Sequence, residues 1–322
     1  MTDAPPPHVL HEFQVMGTTA QLLLRADEAS ARPVFERAEA ELHRLNALLT
    51  RFDSSSELER LNDAREAEVG DELLELLQHA LEQHRATGGR FDVGVGARLV
   101  AAGYDRTWRT LDQLDDTARA ELGRSMLRGD HESAPEPSSP SHSTVPEPFS
   151  IDGRRVTLRD DIRIDLGGIA KGWASDRIAR MLAHDAGCSS LASLGGDIAV
   201  QVAQGDAPWP VGMDTGADGR LTLALAYGGL ATSAWRGRAW RRSQDGALAH
   251  HVIDPRTGEP ARTDVAQITV IASSCMQAEV WATSLMLAGS ERAEREANEL
   301  GLATVIVRSD DSSVRTGSLA GT

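Results

Sequence analysis

The side chains best placed to do chemistry are Asp92, Asp165, Lys171, Asp197, His251, Asp254, Glu279 and Thr283, most of them beside a glycine or proline turn. The sequence has no Ser-His-Asp order, H-E-x-x-H pair or Walker loop, which sets aside the common hydrolase, zinc-protease and kinase mechanisms. What remains points toward phosphate and hard-cation chemistry. In IDLGGIAKGWASD (164–176) an apolar lead reaches Asp165, then Gly167-Gly168, then a helical pattern with Lys171 in its first turn. Paired glycines let backbone N–H groups approach an anion, and a helix N-terminus behind them adds a favourable dipole. Lys171 is the only lysine among 33 basic side chains, so a compact ammonium stands where a flat guanidinium would not suit. On spacing alone, phosphate binding competes evenly with a solvated Asp165–Lys171 pair.

Glu279 and Thr283 lie four apart in MQAEVWATSLML (276–287), so they share a helix face and offer the oxygen ligands that Mg²⁺ prefers. Taken alone, that pair reads more simply as a satisfied ion pair and a hydroxyl bonded back to its helix. Gly195-Gly196-Asp197 reads as a tight turn or as a second close approach to a ligand, turns being commoner.

The elements that must position these groups follow from periodicity. A hairpin is expected around Met16-Gly17-Thr18, amphipathic helices at 28–49 and 71–85, and a capped helix start after Ser55 or Ser56. RFDVGVG (90–96) suggests a tight backbone path along a ligand. A polar helix is expected at 111–122, and the Ser, Pro, Glu and His composition of 129–150 predicts a flexible surface insertion. Strands alternate through the second half, HHVIDPRTGEPA (250–261) forms a rigid loop, and a helix at 292–300 and a strand at 303–308 close the fold.

A net charge of −15 and a pI near 5.1 exclude a broad basic face, hence sequence-independent nucleic-acid binding. Cys188 and Cys275 have neither metal nor disulfide spacing, as in a reducing compartment. The start MTDAPPPHVLHEFQV lacks a basic, apolar leader, and no apolar run could cross a bilayer. The expectation is a cytoplasmic protein with no nucleic-acid partner and no stable membrane insertion.

In order, the chain shows MGT (16–18), RFDSSSELERLN (51–62), RFDVGVG, IDLGGIAKGWASD, LGGD (194–197), ATSAWRG (231–237), HVIDPRTGEP (251–260) and AEVWATSL (278–285). This series resembles the ApbE family, the FAD:protein FMN transferases, over nearly all of residues 11–308. The resemblance implies a two-lobed, T-fold-like α+β domain of mixed, largely antiparallel sheets and flanking helices at 11–308, after a disordered 1–10 and before a polar tail at 309–322.

It also implies a site. FAD would contact Met16, Phe52, Arg90, Phe91, Asp92, Asp165, Lys171 and Ile253. Mg²⁺ would be held by Gly168, Glu279, Ala282 and Thr283. A Ser or Thr hydroxyl of an acceptor flavoprotein would attack the FMN-side phosphorus and release AMP, with His251, Lys171 and Asp165 as catalytic groups; the alternatives are an FAD diphosphatase that yields FMN and AMP, or a non-catalytic flavin-binding protein. His251 is the candidate base because an unperturbed imidazole titrates near working pH. Three departures stand out: Glu279 is one methylene longer than the family's usual Asp, Ala234 replaces its usual glycine, and Val93-Gly94 stands where Pro-Thr is common.

Overall fold

The computed structural model describes residues 8–106, 111, 115, 117–118, 121–122, 145–242 and 245–320. Its spine is an eight-stranded sheet in the order β1-β2-β6-β7-β10-β13-β14-β15. These strands are β1 (Val9–Val15), β2 (Thr18–Leu24), β6 (Ser190–Leu194), β7 (Asp197–Gln201), β10 (Tyr227–Ala234), β13 (Val265–Ala272), β14 (Ala303–Arg308) and β15 (Ser313–Thr316). Each neighbouring pair is antiparallel, so the expected mixed pairing resolves to a purely antiparallel sheet. The class is α+β, as expected.

Alternation along the strands sorts the apolar residues onto two faces. On one face Ala20, Leu22 and Leu24 of β2 and Ala192 and Leu194 of β6 join the helices, while Ala231 and Ile268 do the same farther along the sheet. On the other face Leu191, Val200, Leu230 and Val305 pack beneath the hairpin β8 (Trp209–Asp214) and β9 (Arg220–Leu225).

The helices on the first face read directly from the sequence. In α1 (Glu28–Leu49) the Asp27 side chain accepts from the Ser30 N–H at 3.0 Å, and Val34, Ala38, Leu42, Leu45 and Leu49 form the buried stripe. Ser56 caps α2 (Glu57–Ala64) through the Glu59 N–H. With α3 (Asp71–Ala86) and the small sheet β3 (Glu66–Glu68), β5 (Arg155–Leu158), β4 (Phe149–Asp152), these helices share one continuous core.

Two helices then meet over the sheet: α5 (Ala170–Ala186) and α6 (Cys275–Ala288), the latter followed by α7 (Ser290–Glu299). Gly172 is why they can touch. A Cβ there would stand 2.7 Å from the Cys275 carbonyl oxygen and 2.8 Å from Met276 Cα. Asp176 of α5 completes the clasp by accepting the Cys275 and Met276 N–H groups at 2.9 and 3.0 Å.

Several expectations are corrected. The glycines of RFDVGVG do not track a ligand: Gly96 opens α4 (Gly96–Ala101) and lies against the backbone of Arg163, where a Cβ would come within 2.7 Å of a carbonyl oxygen. The turn reading of Gly195-Gly196-Asp197 holds: two strands are joined there by Gly195-Gly196, both with positive φ. The tail contributes β15 and buried Leu319, because Thr304 and Val307 pair with Thr316 and Ser313. The first strand begins at Val9, inside the start expected to be disordered. The helix expected at 111–122 and most of the insertion, 129–144, lie outside the described residues, or largely so. The insertion's last residues are packed: His84 Nε2 donates to the Val145 carbonyl at 3.0 Å, and Phe149 is buried in β4. Among the described residues no helix is long and apolar enough to cross a membrane.

Gly172→Ala separates two opposing effects. Helix propensity alone would favour alanine by about 1 kcal/mol, whereas forcing a methyl into closed backbone packing costs about 1–3 kcal/mol. We expect a net loss of stability in chemical denaturation; a stabilised variant would mean that the α5–α6 approach is looser than described.

Candidate active site

A cleft of about 800 Å³ opens where the β1–β2 turn, the β6–β7 turn, the starts of α5 and α6, and the loop after β12 converge. Here β11 (Ala239–Arg241) and β12 (Leu248–His250) form a hairpin that delivers His251. The Met16-Gly17 turn is left-handed at both residues, φ 51° and 70°, which suits glycine and strains methionine. Of the residues singled out from the sequence, Met16, Phe52, Arg90, Phe91, Asp92, Asp165, Gly168, Lys171, His251, Ile253, Glu279 and Thr283 all line this cleft. Ala282 does not; it is fully buried in the core beneath α6.

The structure reassigns the IDLGGIAKG stretch in detail. The Gly167 N–H is taken at 2.7 Å by Asp165 itself, and a Cβ on Gly167 would collide with that carboxylate. Asp165 also receives the Arg51 guanidinium at 2.5 Å. The anion that occupies the N-terminus of α5 belongs to the protein: Glu279 accepts the Gly172 N–H at 2.8 Å. Lys171 is held between Asp197 and Glu279, contacting both carboxylates. Its ammonium is therefore not the free cation that spacing suggested. The extra methylene of Glu279 lies on the α6 side of this pairing.

Burial opposes the charge on Lys171, but Asp197 and Glu279 outweigh it and hold the ammonium above the ordinary lysine range. Burial, reinforced by Asp197 and opposed by Lys171, pushes Glu279 up to about 7. Two carboxylates share one ammonium here, so with Glu279 ionised this corner is net negative and favours a further cation. The donors beside it are the carboxylates of Glu279 and Asp197, the Thr283 hydroxyl (3.0 Å from Ser233 Oγ) and the Gly168 backbone. An all-oxygen set with only two acids suits Mg²⁺, which ordinarily shares its coordination with substrate phosphates and water. Among the described residues no cluster of three or more His, Cys, Asp or Glu offers an alternative centre.

The other predicted residues take distinct roles. Phe91 is buried, and Gly168 sits where a Cβ would press on its ring at 3.3 Å. Asp92 accepts the Gly94 N–H at 2.6 Å, and burial raises its pKa. Arg90 turns away into the protein, donating to Ser284 at 3.1 Å and Glu296 at 2.6 Å. Asp254 builds the loop: its carbonyl accepts the Thr257 and Gly258 N–H groups while its carboxylate grips Arg256.

His251 does not carry an ordinary imidazole. Burial first, then the charge of Arg238, push its pKa down to about 3, so the ring is neutral at working pH. Its Nδ1 lies 3.3 Å from the Arg238 carbonyl oxygen, which can only accept. Nδ1 therefore bears the hydrogen, and the Nε2 lone pair is left free.

Of the outer wall, sequence reasoning named only Phe52. Arg51 lies over the rings of Phe52 and Tyr104, 4.2 and 4.6 Å from their centroids, and Tyr104 packs against Trp240 at 5.3 Å. Phe52 is 42% exposed at its mouth. Arg51 is the first residue of the RFDSSSELERLN block and could have been found there; Tyr104 and Arg238 carry no local signal.

A family model described as the ApbE family matches residues 16–306. The chain belongs to the ApbE family. A relative from Klebsiella pneumoniae named FAD:protein FMN transferase is 27% identical over 91% of this chain and 82% of its own length. One of the same name from Vibrio cholerae is 28% identical over 96% and 90%. Among solved structures, the apbe protein of Thermotoga maritima superimposes with a TM-score of 0.76 at 24% identity, covering 96% of this chain and 97% of that one. Flavin transferase ApbE from Vibrio cholerae gives 0.74 at 24%, covering 98% of each. The family's fold is thus shared throughout, and the resemblance of the ordered motif blocks is borne out.

His250, one residue from the cleft and fully buried, gives a stability test. Burial lowers its pKa from 6.5 to about 4, while its ring bonds the Ala261 carbonyl at 2.9 Å. Between these values the unfolded chain takes up a proton that the folded chain refuses. Stability should therefore be full above pH 6.5 and fall toward pH 4, by up to about 1.4 kcal/mol per pH unit for each such histidine. Denaturant midpoints across this range should show a shallower slope for His250→Gln than for the wild type; equal slopes would contradict the burial argument.

Proposed function

We propose that this protein transfers the FMN moiety of FAD to a hydroxyl of an acceptor flavoprotein, releasing AMP with Mg²⁺ present. The observation that carries this reading is that one cleft gathers every motif block of the ApbE family, while the family's relatives are named for that transfer. The aromatic and cationic wall of Phe52, Arg51 and Tyr104 suits a flat heterocycle, with Met16 and Ile253 as apolar neighbours.

Neutral His251, with Nε2 free, is oriented to accept the acceptor's hydroxyl proton. Oxygen then bonds to the FMN-side phosphorus, the bridging P–O bond breaks, and the bridging oxygen leaves on AMP. Its depressed pKa makes His251 a weak base in the empty cleft; a bound diphosphate would offset the Arg238 charge and strengthen it. Glu279, Asp197, Thr283 and Gly168 would hold Mg²⁺, which neutralises charge on the phosphate oxygens. Lys171 keeps the two carboxylates from repelling one another and so holds this donor set in place. Asp165 anchors Arg51 against the ring wall.

The test is direct. Incubation with FAD, Mg²⁺ and an acceptor flavoprotein domain should give an in-gel fluorescent band and stoichiometric AMP. His251→Ala should lower kcat by about 10²–10⁴-fold, and Glu279→Gln should abolish Mg²⁺-dependent turnover while FAD still binds. AMP with free FMN and no labelled protein would show that water takes the hydroxyl's place. Full activity in both variants would refute the site.

A further inference from the structure

The cleft's cations are not equivalent. Arg51 is neutralised by Asp165, Arg90 by Glu296, and Lys171 by two carboxylates that overcompensate it. Arg238 is different. It lines the cleft, half-buried, near the Tyr104 hydroxyl, and has no carboxylate partner within ion-pairing distance among the described residues. A half-buried guanidinium left without an anion is poorly compensated. It is therefore ready to receive one from the ligand, in the fork geometry that suits phosphate.

We propose that Arg238 binds the diphosphate of the dinucleotide substrate, and that Lys171 does not serve as its principal cation. This assignment rests on reading the cleft as an FAD site. The pairing supports it: the Lys171 ammonium already contacts two carboxylates and has no free charge to offer an anion, whereas Arg238 faces the cleft with no carboxylate partner among the described residues. The placement also links two functions in one residue. The main-chain carbonyl of Arg238 fixes the His251 ring, so a phosphate drawn to its side chain arrives beside the imidazole that accepts the proton. Because that carbonyl belongs to the backbone, replacing the Arg238 side chain leaves the ring's acceptor in place.

The experiment measures FAD, ADP and riboflavin binding to the full chain, wild type, Arg238→Met and Arg238→Lys, at low and moderate salt. Arg238→Met should weaken FAD and ADP by about 10–100-fold, the loss expected of a charge-assisted hydrogen bond. Riboflavin, which has no phosphate, should bind all three proteins alike. Arg238→Lys should recover part of the ADP affinity, and the FAD deficit of Arg238→Met should shrink as salt rises. Unchanged FAD affinity in Arg238→Met, or an equal loss for FAD and riboflavin, would overturn the assignment; the latter would mean that the residue merely props Tyr104. Failure of the cleft reading looks different. Wild-type protein that binds none of the three ligands would sink that reading, whereas the FAD–riboflavin contrast without protein labelling would uphold Arg238 and remove the transfer step.

Discussion

The interaction on which the rest depends is the ion triad of Lys171, Asp197 and Glu279. Its members lie 26 and 108 residues from Lys171 along the chain, on the start of α5, the strand after the Gly195-Gly196 turn, and α6. Taking charges out of water costs several kcal/mol for each ion unless partners and hydrogen bonds are supplied in good geometry. Here they are supplied from three elements at once. Gly172 lets the two helices approach, its N–H satisfies the second Glu279 oxygen, and Asp176 caps the start of α6 from α5. Each of these contacts ties one element to another, so the junction is cross-linked where the cleft needs a fixed wall.

The same triad sets the electrostatics of the cleft. One ammonium between two acids leaves an excess of negative charge on the helix side, where oxygen donors are concentrated. The cleft lining also holds Arg238 and the Arg51–Phe52–Tyr104 stack. A ligand joining a flat ring system to a phosphate chain can satisfy both at once, its rings over the stack and its anionic part between cation and metal donors. His251 lines the same cleft, neutral, with its orientation dictated by a main-chain carbonyl.

The hairpins and glycines serve this arrangement more than they serve the ligand. Gly195 faces Thr18, with only 2.3 Å between a would-be Cβ and the Thr18 hydroxyl, so the β6–β7 turn must lie flush on the β1–β2 turn. The Asp254 loop is similarly self-contained and holds Ile253 at the cleft wall. Motif residues that look like ligand contacts thus divide into those that reach the cleft and those that build its walls.

Much was legible in the chain itself. The period of Val34, Ala38, Leu42 and Leu45, the Ser56 cap and the β1–β2 hairpin are local patterns, encoded within a few residues of one another. The ordered motif blocks likewise announced which side chains would share a site. What tertiary structure alone decided is which charges pair. Spacing could put Lys171 near a glycine pair but could not reveal that Glu279, 108 residues away, would take both its ammonium and the Gly172 N–H. Nor could it show that Arg238 would have no acid partner among the described residues, or that burial would strip His251 of its ordinary basicity. Hydrophobic period and turn chemistry act over a few residues and are written in order. Coulombic pairing and desolvation depend on through-space distance and on exclusion of water, which exist only once the chain has closed on itself.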